Sequence, residues 1–149
     1  MSGKTNPVSA DVLNLFLNSA TSPFGSTWVT LFTTNPTSDG TGSSYPDTYV
    51  EWGISGSRVR VYNDELTDPY WTAPAVDSEP NKMEIHNSTT VGWTAIAGLS
   101  GSETVKGVGI FSAETGGNLL YWDTLTTERI VVNGDTYQFL AGTLQVRED

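Results

Sequence analysis

Val105-Lys106-Gly107-Val108-Gly109-Ile110-Phe111, followed by Gly116-Gly117-Asn118, Leu119-Leu120-Tyr121-Trp122 and Asn133-Gly134-Asp135, alternates apolar runs with turn residues as far as Val146. Short β-strands joined by tight turns read this way. Gly-Gly-Asn and Asn-Gly-Asp both stand between apolar runs, where a two-residue hairpin needs the positive φ that Gly and Asn adopt most readily. The stretch predicts a meander of strands over 105–111, 118–124, 129–132, 136–140 and 143–147, with Ile110 and Phe139 in its core. It carries no residue set for chemistry.

Working outward, Met83 and Ile85 alternate with Lys82, Glu84 and His86, which predicts a half-exposed strand with the first two inward. Residues 49–52 and 57–62 are expected to pair around Gly53–Gly56, with Val59 and Val61 inward and Arg58 and Arg60 outward. Trp28-Val29-Thr30-Leu31-Phe32 is rich in β-branched and aromatic residues and ends at Asn35-Pro36, as a largely buried strand does. Nearer the N-terminus, Val12, Leu13, Phe16 and Leu17 make one apolar stripe at helical spacing behind a Ser9 cap, with Asp11 favourable in the first turn. Residues 1–8 lack apolar periodicity and read as an extended arm. The expected fold is therefore mainly β: a single antiparallel β-sandwich or jelly-roll-like domain over 9–149, with one short N-terminal helix.

Composition narrows the function. The chain has 149 residues, enough for one moderate core, and no Cys, which excludes disulfides, thiolate metal sites and thiol redox chemistry. Seventeen acids against seven bases give a net charge of −10, which repels phosphate backbones, so no nucleic-acid partner is expected. Charged residues make up 16%, below the roughly 25% of ordinary soluble domains, with Ser, Thr, Asn and Gly in their place. No apolar run approaches 18 residues, so neither a membrane span nor a leader is expected, and assembly in the cytoplasm is the expectation.

Gly109-Ile110-Phe111-Ser112-Ala113-Glu114-Thr115-Gly116-Gly117-Asn118-Leu119-Leu120-Tyr121 closely resembles a family of short phage virion proteins labelled tail-fibre proteins. Met1-Ser2-Gly3-Lys4-Thr5-Asn6 with the apolar helix after it, and Val29 to Thr37, resemble that family's opening. Leu125-Thr126-Thr127, Asn133-Gly134-Asp135-Thr136 and Ala141-Gly142-Thr143-Leu144 are similar to its end. From about Thr41 to Gly101 the likeness fades, and the aromatic, acidic stretch from Tyr62 to Pro80 replaces a Gly/Ser-rich strand pair. The resemblance implies a virion building block.

Candidate chemistry is sparse. His86 stands beside Glu84 on the outward side of a strand, but one imidazole without an orienting acid and a nucleophile makes no catalytic set, and a solvated surface histidine is the plainer reading. Asp39-Gly40, Asn63-Asp64-Glu65, Asp68 and Asp77 offer oxygen ligands without the EF-hand order, and Asp-Gly is ordinary turn chemistry. No catalytic residue, metal site or cofactor is expected. The segment Tyr62 to Pro74 is the most promising element, since Tyr and Trp beside acids and amides serve protein interfaces, internal packing of a long loop, or the C–H faces of sugars.

These observations lead to a non-enzymatic virion structural protein. The expected role is a capsid decoration or cement protein bridging copies of the major capsid protein, with a tail fibre, collar or baseplate component contacting tail proteins as the alternative, and a carbohydrate-binding module third. A homotrimer is expected. Asn6 and Pro7 of the arm and Tyr62, Tyr70 and Trp71 of the aromatic segment are the candidate interface residues.

Overall fold

The computed structural model describes residues 10, 12–14, 17, 25–36, 50–51, 58–63, 67–77 and 82–148. Ten strands follow in chain order: β1 (Ser26–Thr34), β2 (Val50–Glu51), β3 (Val59–Tyr62), β4 (Ala75–Val76), β5 (Met83–His86), β6 (Val91–Trp93), β7 (Ser102–Phe111), β8 (Leu119–Val132), β9 (Tyr137–Phe139) and β10 (Gln145–Glu148). One sheet has the order β2-β1-β7-β8 with β3 also on β1, a second is β10-β5-β4, and β6 pairs with β9. β1 with β2 and β7, β7 with β8, and β5 with β4 and β10 are antiparallel. The mainly β, antiparallel expectation holds. Of the expected N-terminal helix, Leu13 and Leu17 are described and fully buried; most of that segment and the whole arm at 1–8 lie outside the described residues, so the helix is not established as an element.

The chain divides into two compact units: Met1–Thr27 with Arg60–Val91 and Phe139–Asp149, and Trp28–Val59 with Gly92–Gln138. In the second unit β1 and β7 bury Val29, Leu31, Phe32, Val108, Ile110 and Phe111. The inner glycines of β7 make room for neighbours: a Cβ on Gly109 would stand 2.6 Å from the Phe32 ring, and one on Gly107 would collide with the Asn35 amide. Phe32 can therefore lie over the strand and meet Phe111 edge to face, with ring centroids 6.4 Å apart.

In the first unit β5 buries Met83 and Ile85, as its alternation predicts, and Val61, Trp71, Leu144 and Val146 are buried too. Its polar centre is Asn87, fully buried. The Asn87 amide nitrogen donates to the carbonyls of Thr89 (2.7 Å) and Leu140 (3.0 Å), and its Oδ1 accepts the Leu144 N–H at 3.0 Å. Gly142 N–H donates to the Asn87 carbonyl at 2.9 Å, so one side chain and its own backbone close the turn before β10.

Five expectations change. The C-terminal stretch is not one meander: β7 and β8 form a hairpin, whereas β9 goes to β6 and β10 to β5. The turn at Asn133–Asp135 sends the chain away because it is bound sideways. Asn133 accepts from Leu99 N–H at 2.9 Å and donates to Leu99 O at 2.8 Å, while Gly134 N–H donates to Ile96 O at 2.7 Å. Secondly, Gly116 and Gly117 do take positive φ, but within a seven-residue loop closed by Ser112 N–H to Asn118 O at 3.0 Å, not a two-residue turn.

Thirdly, the ladders expected at 118–124 and 129–132 are halves of one strand, β8, both paired with β7. Gly107 faces Thr124 and Val105 faces Arg129, so Leu125–Glu128 stand opposite Lys106 alone, a wide bulge. Lastly, β2 and β3 do not make the expected hairpin with each other among the described residues, since both pair with β1. Phe139, expected in the core, is half-buried.

Candidate functional site

The aromatic segment folds back on its own unit. Tyr62 N–H donates to Pro69 O at 2.8 Å and Trp71 N–H to Tyr62 O at 3.2 Å, which closes the loop at its base. Tyr70 N–H then donates to Ser88 Oγ at 2.9 Å and Ser88 N–H to Tyr70 O at 2.8 Å, while Thr72 N–H reaches His86 O at 2.8 Å. These bonds run the segment alongside β5 and the residues after it. Asp68 holds the same serine by accepting from Ser88 Oγ at 3.2 Å.

Trp71 is 0% exposed. Its indole N–H donates to Thr27 Oγ1 at 2.7 Å, and Thr27 in turn donates to the Val61 carbonyl at 3.4 Å. An indole so enclosed satisfies its one polar group and packs internally, so it offers no face to a partner or a sugar. Of the three expected interface residues that are described, Tyr62 and Tyr70 are half-buried and present surface, and Trp71 does not. The Arg60 guanidinium lies 4.4 Å from the Tyr62 ring centroid, which orients that ring. Asn6 and Pro7 lie outside the described residues.

The titratable candidates separate. Glu84 lies 3.6 Å from Arg147 Nε and the nearly enclosed Asp77 lies 2.9 Å from it, so one guanidinium draws both carboxylates. Asp77 also donates its backbone N–H to Lys82 O at 3.0 Å. His86 sits half-buried on β5, and its backbone N–H donates to Thr72 Oγ1 at 3.2 Å. Glu84 is thus drawn to an arginine and not to the imidazole. Asp39, Asp64 and Glu65 fall outside the described residues; among those described, no three His, Asp or Glu side chains group as a metal site.

Two features escaped the sequence. Arg58, expected outward, is 6% exposed and lies 3.6 Å above the Phe111 ring. Its Nε donates to Glu51 Oε2 at 2.9 Å and its Nη1 to the carbonyls of Ala113 (2.6 Å) and Gly116 (2.7 Å), so it ties β2 to the loop between β7 and β8. Thr30 completes the set by donating to the same Glu51 oxygen at 3.2 Å. The pattern of alternation pointed Arg58 outward, and only the carbonyl-rich loop opposite explains its burial.

The second feature is the outer part of β8. Thr126 to Ile130 are exposed residue after residue, Ile130 is 71% exposed and Val132 43%. Ile130 and Val132 lie on one face of the strand, with the buried Val131 between them. A hydrophobic pair two residues apart on a long strand was a readable signal.

No catalytic constellation emerges from these groups, and what the geometry offers is contact surface on a β scaffold. A family model described as "Podophage GP4 fiber I protein gp80" matches residues 3–147. No curated protein matches the chain.

Proposed function

The chain belongs to the podophage GP4 fiber I protein gp80 family, which makes it a phage virion structural protein, and on that premise we propose that it is a non-enzymatic fibre component of the tail. The observation that carries this is the extent of the match to a fibre-protein family, residues 3–147, which spans both compact units. The fold suits it: antiparallel sheets, turns locked by side-chain amides, and no assembled acid–base pair between His86 and Glu84 among the described residues. Work is done through surfaces. We assign Tyr62 and Tyr70, together with the arm at 1–8 that carries Asn6 and Pro7, to contacts with other tail proteins of the particle, and we read the assembled form as a homo-oligomer.

A capsid decoration role is the second reading. It is favoured by strands of 2 to 14 residues in two compact units, with none of the sequence repetition that long fibres use. The two are separated by labelling intact particles with an antibody fragment raised against this chain. Label confined to the tail is the expected result, and label distributed over the head replaces the fibre reading with the capsid one.

A further inference from the structure

Asn133-Gly134 is the one Asn-Gly dipeptide in the chain, and both residues are exposed on the turn between β8 and β9. Gly134 has no Cβ, so in an open backbone nothing shields the Asn133 carboxamide from the nitrogen that follows it. That nitrogen can attack Asn133 Cγ. The new N–Cγ bond displaces the side-chain amide as ammonia and closes a cyclic imide. One water then opens the imide at either carbonyl, leaving an aspartyl or an isoaspartyl residue. Asparagine is thermolabile through this chemistry.

In the folded chain three bonds oppose the attack. Leu99 N–H donates to Asn133 Oδ1 at 2.9 Å and Asn133 Nδ2 donates to Leu99 O at 2.8 Å, so the carboxamide is held toward Leu99. The attacking nitrogen must also give up its proton, and Gly134 N–H is engaged with Ile96 O at 2.7 Å. We propose that Asn133 is a self-modification site, silent while this turn is closed and converted to aspartate when it opens. Closure is then lost. A carboxylate has no N–H for Leu99 O and sets acceptor against acceptor. Its charge stands two residues from Asp135, whose Oδ2 already accepts Val132 N–H at 3.0 Å. An isoaspartyl residue carries the backbone through an added methylene, which draws Gly134 N–H off Ile96 O. Either product releases the turn that sends β9 to β6. The site is the same wherever in the virion the chain sits, and the opening rate of this turn sets the chemical lifetime of the part.

Peptide mass spectrometry of the full chain tests this. Trypsin releases Ile130–Arg147, in which Asn133 is the only asparagine. Conversion therefore reads as the mass gain of NH exchanged for O in that peptide, and as its splitting into aspartyl and isoaspartyl forms. The chain is held at mildly alkaline pH through a series of urea concentrations from none to full unfolding, with amide exchange at Leu99 and Gly134 followed in parallel. Conversion should be at least about tenfold slower in the folded chain than in the unfolded one, and should rise in step with these two amides, because both need the same opening. Equal rates in the folded and unfolded chain, or conversion that stays constant while the two amides exchange faster, overturns the protection. Asn133→Asp supplies the product directly, and its Leu99 N–H should exchange about tenfold faster or more than in the wild type. Wild-type chain converted in urea and returned to buffer gives the same reading without a variant. Leu99 exchange at the unmodified rate in either sample overturns the loss of closure.

Discussion

Asn87 has no water to fall back on: it is fully buried, and three of its bonds go to backbone groups that would be stranded without it. Asn87→Ala leaves two carbonyls and one N–H unsatisfied, so a loss on the order of 3 kcal/mol or more is expected in urea denaturation; a loss under about 1 kcal/mol would show that the side chain is replaceable. Neighbouring aromatics of one segment should behave oppositely. Trp71→Ala empties a closed site and should cost about 3–5 kcal/mol, whereas Tyr70→Ala removes a half-exposed ring and should cost about 1 kcal/mol or less. Weak particle binding by the Trp71 variant would thus report misfolding, and only the Tyr70 variant reports an interface. Tyr137 supplies the pH dependence. Burial pushes its phenol above the usual value near 10, against a smaller opposite pull from Arg129. The fold favours the neutral phenol, so this contribution is intact below about pH 10 and is lost as pH rises through the folded value. Urea midpoints from about pH 8 to 11 should fall less steeply for Tyr137→Phe than for the wild type, and parallel curves would show that the phenol is not coupled to folding.

Among the elements, the hairpin of β7 and β8 carries the most testable detail. Deleting Thr126–Glu128 leaves one residue opposite Lys106 and turns the bulged ladder into a regular one. The shortened chain should keep its β circular dichroism and melt within a few degrees of the wild type, since the removed residues are exposed; unfolding on deletion would mean that the bulge is structural. Arg58→Ala strips the cation from Glu51 and from two loop carbonyls. It should cost about 3–5 kcal/mol and speed amide exchange at 112–118, and Arg58→Lys should not restore it, because an ammonium cannot bridge the carboxylate and both carbonyls in one plane. The strands themselves were legible wherever alternation or β-branched runs were long: β1, β5, β7 and both halves of β8 lie where their residues predict. Pairing was not, because the partners of β9 and β10 are chosen by Asn133 and Asn87, whose bonds reach 34 and 57 residues along the chain. The same limit hid the site: an aromatic segment looks alike whether its indole meets a partner or, as Trp71 does, the Thr27 hydroxyl.

At the scale of the whole molecule, the two compact units and the family to which both belong support a part that works by being built into a particle. Removing residues 1–8 should leave a folded chain that binds particles more weakly, as read by co-sedimentation with virions lacking the protein; unchanged binding would move the contact off the arm. Capsid and tail sites differ most sharply in number, because lattice symmetry multiplies every site on the head and not on the tail. The direct test of the fibre assignment is the copy number of this chain in purified virions, counted by quantitative mass spectrometry against the major capsid protein. A tail fibre component predicts at most a few tens of copies, and on the order of a hundred or more, scaling with the capsid lattice, would contradict it.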